Sequence, residues 1–487
     1  MDEVVNHRNT HTEQSDIPLC VGLDGTLLKT DTLWESLIQL LMRNPLLVFS
    51  VVLWVIRGKA NLKNEVAKRT DRKPESWPYR AEVLERLKQE AAEGRTLILA
   101  TGAPEKVATS VAQHLGLFDD VVCTRDGTNL TATRKREALV ARYGEGGFDY
   151  IGDSADDVPV FDAARKAVVV APDTKADRWR KTHNAELLVP QTDRLKTALK
   201  AMRVHQWLKN SLLIVPLVLD HQLLNPALVL QVVVAFFSFS FAASFVYLLN
   251  DLADLENDRL HHSKRNRPLA SGLLSIPTGI RLACALLVLS LFLALFLPWD
   301  FVVVLLVYIL ATTAYSFGLK RRPLVDVLTL AGLFTLRIIA GGAAAQTEPS
   351  FWLLAFSIFF FLSLALVKRY VELSELTSEE GSREIGRGYY PNDHEMIAQA
   401  GISSAFGAAL VLALYVNSVE VQDMYSNPLF LWPLCPLILY MQLRIWMLAR
   451  RGKMHDDPVI FIIRDWRSQF VTAVGALLVL LAAVVPS

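Results

Sequence analysis

Cysteine is scarce and unpatterned in this chain. Four stand in 487 residues, Cys20, Cys123, Cys284 and Cys435. Their scatter excludes a zinc-ligand cluster and a disulfide framework. Cys20 and Cys123 fall in apolar, strand-like segments and read as buried thiols. Net charge is almost absent too, at +1. The whole chain therefore lacks the basic excess that draws nucleic acid, and no nucleic-acid partner is expected. Residues 1–16 contain no apolar run of the signal-peptide kind. They are polar and read as a disordered tail.

Apolar residues are abundant, at 52%, and unevenly spread. The length suggests two or three domains. The first 200 or so residues read as a soluble α/β domain, placed at 17–189. Short apolar strands are predicted at Ile17–Leu23, Arg95–Ala100 and Phe148–Ile151. Helical stretches separate them at Pro74–Glu93, Pro104–Leu115 and Arg134–Tyr143. Alternating strands and helices imply a parallel, Rossmann-like sheet. Polar groups follow each strand: Asp24-Gly25-Thr26, Thr101-Gly102, and Gly152 to Asp157. They imply a site at the carboxyl edge of that sheet.

Pro45 to Ile56 is almost wholly apolar, yet too short for a span of about 20 residues. Arg43, Arg57 and Lys59 flank it. The segment near 32–57 reads as a helical insertion that docks on a membrane surface or on the membrane domain. A buried helical hairpin is the alternative.

Residues 190–210 form a basic, amphipathic linker, with Trp207 at headgroup level. From 211 to 487 the chain reads as an all-α polytopic membrane domain of about nine transmembrane helices. They lie near 211–224, 228–249, 277–297, 299–317, 324–345, 351–367, 398–416, 428–448 and 469–486. The first is interrupted by Asp220. Loops at 259–267, 320–322, 368–387 and 450–467 are rich in Lys and Arg, whereas those near Asp220, Trp299, Thr347 and Glu420 have none. The basic loops are therefore assigned to the cytoplasm, together with the N-terminal domain, of a multi-pass protein in the inner (plasma) membrane.

One acidic stretch lies at a cytoplasmic helix end. Asn250, Asp254 and Asp258 fall at i, i+4 and i+8 on one helical face, a row of about 12 Å. Asp251 lies beside them. Carboxylates so close repel, and Mg²⁺ with phosphate oxygens relieves this. Lys264, Arg265 and Arg267 follow and suit phosphate. The stretch reads as a Mg²⁺–diphosphate site; a solvated loop behind a capped helix end is the alternative.

Asn250, Asp251, Asp254 and Asp258 match NDxxDxxxD, and the membrane domain thereby resembles the UbiA superfamily of intramembrane prenyltransferases. The second acidic motif typical of that superfamily is missing. Val367-Lys368-Arg369-Tyr370-Val371-Glu372 stands there instead. YSFGLKRRPLVDV, LRIIAGG, KRYVEL and DDPVIFIIRD resemble the decaprenyl-phosphate phosphoribosyltransferase branch. That resemblance implies transfer of phosphoribose from phosphoribosyl diphosphate (PRPP) to a polyprenyl phosphate, in cell wall biosynthesis. Lys368 and Arg369 would be catalytic, with Arg337 beside them on the lipid phosphate or the 5-phosphate. Lys264, Arg267, Lys320, Arg321 and Glu372 would bind substrate. Tyr389, after Arg383 and Arg387, would close over the ribose. Arg337 lies inside an apolar run, and an uncompensated charge there costs at least about 2.5 kcal/mol. A polar cavity, with an acid or a phosphate as partner, is expected. Asp326 lies about 16 Å away along one helix, too far for a direct pair.

Asp24-Gly25-Thr26, Thr101, Lys135 and Gly152 to Asp157 resemble the haloacid dehalogenase (HAD) phosphohydrolases. Asp24, Thr101 and Lys135 would be catalytic, with Lys106 competing for the lysine role. Asp153 and Asp157 would hold Mg²⁺. The family's nucleophilic Asp would stand at position 22, which is Gly22. A glycine cannot attack phosphorus, so this is either a phosphatase that lost its nucleophile or a pseudoenzyme. With that nucleophile, the domain would remove the 5-phosphate from the lipid product. Two other functions remain open: prenyl transfer to an aromatic acceptor, and a non-catalytic membrane scaffold. A homo-oligomer is possible in any of these.

Overall fold

The computed structural model describes residues 17–70, 73–125, 129–377, 388–454 and 457–485. The expected tail at 1–16, and Arg383 and Arg387, lie outside the described residues. The chain forms two compact units. One joins residues 1–202 with 248–282, and the other joins 203–247 with 283–487. The stretch with the acidic row thus folds with the N-terminal unit.

The N-terminal unit is built on a six-stranded sheet in the order β3-β2-β1-β4-β5-β6. The strands are β1 (Leu19–Val21), β2 (Leu97–Pro104), β3 (Asp120–Thr124), β4 (Asp149–Gly152), β5 (Ala167–Val170) and β6 (Glu186–Val189). All neighbours pair in parallel. The expected strands are present, and β3, β5 and β6 extend the sheet. Leu19 and Val21 face one core with Leu97 and Leu99. Cys20 faces the other with Tyr150 and Val169, where burial pushes its thiol pKa up to about 12. β1 lies between β2 and β4, where the strand order reverses, so a cleft opens beyond the carboxyl ends of β1 and β4.

Between β1 and β2 the chain inserts α1 (Thr32–Arg43), α2 (Leu47–Ile56) and α3 (Lys59–Arg69). Asp31 starts α1 by accepting from the amides of Leu33 and Trp34, which pairs two of the four open N–H groups. Leu37, Leu40, Trp54, Leu62 and Val66 form the small core of the three helices. Trp54 is the one buried residue of α2. Phe49 and Ile56 are each 75% exposed. The hairpin buried in the soluble core is not what forms. The remaining helices of this half are α4 (Ala81–Ala92), α5 (Glu105–Leu115), α6 (Thr133–Tyr143), α7 (Val158–Ala163), α8 (Thr174–His183) and α9 (Arg194–Ala201).

Among the described residues, eight helices are long and apolar enough to cross a membrane: Pro226–Ala253, Ile276–Ala294, Trp299–Phe317, Val325–Ala345, Phe351–Ser374, Pro391–Val416, Pro428–Arg450 and Trp466–Val484. The number agrees with the expected nine or so. The segment expected at 211–224 is different. It is a 3-10 helix, Val204–Ile214, followed by the short α10 (Val215–Leu219). A Cβ on Gly341 would lie 2.1 Å from the Leu213 carbonyl oxygen, so this backbone packs directly on a glycine. Gly401 plays the same part under Trp446, where a Cβ would meet the indole at 1.9 Å. Such close approach at small residues is a usual means of packing membrane helices.

Asp149 begins β4 and is buried. It accepts from Arg165 at 2.8 Å and also from Arg95, which in turn meets Glu90 at 3.0 Å. Burial alone would raise its pKa; the hydrogen bonds from Arg165 and Arg95 overcome this and hold it below the ordinary value. Asp149→Ala should cost about 3–5 kcal/mol, because it strips a buried guanidinium of a partner. A depressed carboxylate pKa contributes stability above the unfolded value, about 3.9, and that contribution fades as pH falls through the folded one. Denaturant melts of parent and variant should differ at pH 7 and converge below about pH 4. A gap that does not change with pH would refute this role.

Candidate functional site

Helix α11 (Pro226–Ala253) ends in the acidic stretch, and the short α12 (Leu255–Leu260) follows. Asp254 marks the break, with φ −95° and ψ 12°. The amides of Asp254 and Asp258 still reach back four residues, at 2.9 and 2.8 Å. Two carboxylates converge here. Nη1 of Arg267 donates to Asp251 Oδ1 at 3.1 Å and to Asp258 Oδ2 at 2.6 Å. One nitrogen thus stands where two acids point, and both acids are buried. Burial raises the Asp258 pKa, while Arg267 pulls the other way. Among the described residues no three acidic, His or Cys groups enclose an ion by themselves. Two convergent carboxylates fit Mg²⁺, which binds few protein ligands and takes the rest from phosphate and water. Asn250 and Asp254 lie on the same turns, half-buried. Lys264 starts the next short helix and is half-buried as well.

Arg259 directly follows Asp258. Its guanidinium donates to Glu35 of α1, to Oε2 at 3.0 Å and also to Oε1, and its Nε donates to the Ala270 carbonyl at 2.9 Å. The side chains of Glu35 and Arg259 are 0% and 7% exposed. Glu35 also accepts from Thr30 Oγ1 at 2.7 Å. Gln39 donates to Glu256 at 3.2 Å. Gly272 has φ +73°, and a Cβ there would sit 2.6 Å from Lys29 Cβ. The sequence offered no signal for the contacts of Lys29, Glu35 and Gln39 with residues 256–272, because they join segments more than 200 positions apart.

At the carboxyl edge of the sheet, Asp24 Oδ1 accepts from the Thr32 amide at 2.8 Å. Burial, and then Asp31, raise its pKa to about 6. Asp153 accepts from Thr26 Oγ1 at 2.7 Å, and burial with Asp157 nearby pushes its pKa well up. Lys135, not Lys106, is the lysine at this site. Its Nζ bonds Asp157 at 2.8 Å and Tyr150 at 2.9 Å, whereas Lys106 reaches the Ala67 and Thr70 carbonyls. Asp157 has both oxygens committed, Oδ1 to Lys135 and Tyr150, Oδ2 to the amides of Asp153 and Ser154. It braces the loop, so it departs from the expected metal ligand. With glycine at position 22, these residues do not fit a Mg²⁺ site. Thr101 is buried and accepts from the Ala103 amide. A Cβ at Gly22 would lie 2.8 Å from Thr26 Oγ1 and 3.3 Å from the Tyr150 hydroxyl. Lys63 of α3, unforeseen from sequence, donates to the Gly102 carbonyl and to Asn129. Burial lowers its pKa, with Asp24 opposing.

The second unit holds the basic cluster. Arg369 is already neutralised: Asp326 and Glu372 accept from it, and Tyr315 bonds it at 3.1 Å. Tyr389, expected over a ribose, is instead 2% exposed. Its hydroxyl donates to Asp326 and accepts from the Leu324 amide at 2.8 Å. Arg337 bonds neutral partners, Asn210 at 2.9 Å, the Leu333 carbonyl at 2.6 Å and Tyr308 at 3.1 Å. Phe239, Tyr308 and Phe334 ring it. Among the described residues, dipoles and aromatic faces compensate this buried charge, and Asp326 belongs to Arg369. Lys368 remains 37% exposed, 3.5 Å from Asp457, which Lys209 also bonds at 2.7 Å. Burial would raise the Asp457 pKa, but the two lysines hold it far below the usual range. Two ammonium groups on one carboxylate leave a net positive charge beside Lys368. Lys320 is half-buried and Arg321 exposed, in a 3-10 turn at Leu319–Arg321.

The UbiA prenyltransferase family model matches residues 212–484, and the haloacid dehalogenase-like hydrolase model matches 21–162. The protein y4nM of Sinorhizobium fredii is 36% identical over 94% of this chain and 90% of its own length. The decaprenyl-phosphate phosphoribosyltransferase of Corynebacterium glutamicum is 41% identical over 36% of this chain and 54% of its own. A UbiA homologue of Archaeoglobus fulgidus, solved bound to GPP and Mg²⁺, is 19% identical over 58% of this chain and 99% of its own, with a TM-score of 0.46.

Arg369→Ala would leave Asp326, 0% exposed, without its cation. The expected loss is about 3–5 kcal/mol, seen as a collapsed thermal melt in detergent. Lys368→Ala leaves Asp457 with Lys209, and should change stability by under about 1 kcal/mol. Equal melts for the two variants would contradict this division.

Proposed function

Because the chain belongs to the UbiA prenyltransferase family and carries an N-terminal HAD-like domain, we propose that it transfers phosphoribose from PRPP to a polyprenyl phosphate. The chain is an integral membrane protein by its family and its eight apolar helices. The observation that carries the reading is the convergence of Asp251 and Asp258 on one cationic nitrogen. The partial likeness to the corynebacterial phosphoribosyltransferase supports the choice of donor and acceptor.

Asn250, Asp251, Asp254 and Asp258 would hold Mg²⁺ at the cytoplasmic face. The ion would offset charge that grows on the diphosphate oxygens as the ribose C1–O bond lengthens. Arg267 and Lys264 supply further cationic donors for those oxygens. Lys368, with Lys209 behind it on Asp457, receives a phosphate of the acceptor or the sugar. A phosphate oxygen of the lipid attacks C1, and diphosphate leaves. That oxygen is already ionised at neutral pH, so no general base is needed. Arg369, Glu372 and Tyr389 brace the helix that carries Lys368 and its neighbour, Arg337 braces the segment that carries Lys209, and none of the four touches substrate.

The HAD-like domain does not turn over phosphate, since Gly22 supplies no nucleophile. The lipid product therefore keeps its 5-phosphate. Helix α2, apolar and exposed with Arg43, Arg57 and Lys59 beside it, docks in the headgroup region of a bilayer.

Membranes given labelled PRPP and polyprenyl phosphate should release diphosphate only when both are present. Asp251→Asn and Asp254→Asn should abolish release while leaving the folded yield unchanged. Mass spectrometry should find the phosphoribosyl lipid with its 5-phosphate intact. Consumption of a prenyl diphosphate with an aromatic acceptor instead would overturn the reading. A polarity-sensitive dye on Phe49→Cys, in a Cys284→Ser, Cys435→Ser background, should report an apolar setting in nanodiscs; a water-like signal would remove the membrane contact of α2.

A further inference from the structure

The acidic stretch, in sequence a part of the membrane domain, folds with the N-terminal unit. That placement gives the HAD-like domain a task that needs no nucleophile. We propose that Glu35 and Arg259 are positioning residues for the metal–diphosphate site, with α1 acting as a splint that fixes Asp258 against Asp251. This rests on the reading that residues 250–258 grip a metal-bound diphosphate.

Helix α12 has six residues, Leu255–Leu260. A helix this short does not hold its shape alone, because its nucleation is too costly. It also follows an irregular residue, Asp254 at φ −95° and ψ 12°, so the backbone bonds that continue from α11 fix its rotation only in part. Side-chain contacts complete where Asp258 points. Arg259 is the next residue, and one guanidinium fixes it in three directions. Two nitrogens engage both oxygens of Glu35, and the third reaches the Ala270 carbonyl. A bidentate fork constrains orientation as well as distance. The pair is sealed from water, so neither partner exchanges readily with solvent. The remaining contacts act in the same sense: Gln39 holds Glu256, and Lys29 leaves room only for glycine at position 272.

The splint also begins at the catalytic edge of the HAD-like sheet. Asp24 accepts from Thr32, the first residue of α1, and Glu35 lies one turn on. The HAD-like fold is then required for transfer whether or not it hydrolyses anything.

The test uses the full-length protein in detergent, with Mn²⁺ and inorganic diphosphate as probes. Bound Mn²⁺ is counted by electron paramagnetic resonance, and amide exchange is followed over 254–272. The Mn²⁺ signal lost in Asp251→Asn defines the share belonging to the acidic stretch. Glu35→Gln keeps shape but loses charge, and Arg259→Lys keeps charge but loses the fork. Each should weaken that share about tenfold, as loss of a supporting partner around a metal ligand does. Each should also speed exchange over 254–272 while the sheet exchanges as in the parent. Combined, they should be no worse than either alone, because they break one pair. If Asp251→Asn loses Mn²⁺ while both variants bind like the parent with unchanged exchange, the splint is refuted and the metal site stands. If Asp251→Asn binds Mn²⁺ like the parent, the metal reading falls and the splint falls with it.

Discussion

A charge taken out of water must be matched where it lies, or it costs several kcal/mol. This chain buries many, and its architecture follows from how each is matched. Arg95 and Asp149 close one end of the sheet. Lys135 and Asp157 close the other. Glu35 and Arg259 lock α1 to α12. Arg369 and Asp326 lock two apolar helices together. Several charged residues that look functional in sequence, Lys135, Asp157 and Arg369 among them, are matched in this way. Asp251 and Asp258 are instead bridged by one nitrogen of a partly exposed arginine, and Lys368 lies beside Asp457.

This separates two kinds of cation in the membrane half. Arg337 sits among dipoles and aromatic faces, with its directional donors taken up by Asn210, Leu333 and Tyr308. Among the described residues its charge is stabilised by dipoles and rings, which suits a fixed structural guanidinium. Lys368 shares its carboxylate with Lys209, so the local balance is positive. A mobile ammonium in a net positive setting is suited to receiving an anion that comes and goes.

Much of the fold was legible. Apolar runs ending in Asp24, Thr101 and Asp153 announced a parallel sheet with a polar edge, because strand-end chemistry is a local property. β3, β5 and β6 were not singled out, although Asp173 stands as far past the end of β5 as Asp24 does past the end of β1. The acidic row was legible as a cluster, of which the structure brings Asp251 and Asp258 together on Arg267, and helical spacing correctly kept Asp326 from Arg337. It did not reveal that Arg369 would take Asp326, or that Tyr389 would be drawn inside to the same acid. The segment 211–224 looked like a span by hydropathy. Hydropathy does not register a backbone that must lie flush against Gly341.

By itself the sequence determined the element types, the run of membrane helices and the acidic row at 250–258. All of these follow from periodicity and side-chain chemistry within a few turns of chain. Only the tertiary structure decided which charges remain available, and that the acidic stretch folds with the N-terminal unit. Glu35 and Arg259 stand 224 positions apart, and no local pattern encodes that meeting. It arises because two buried ions of opposite sign, once brought near by packing, cannot stay apart without a large desolvation cost.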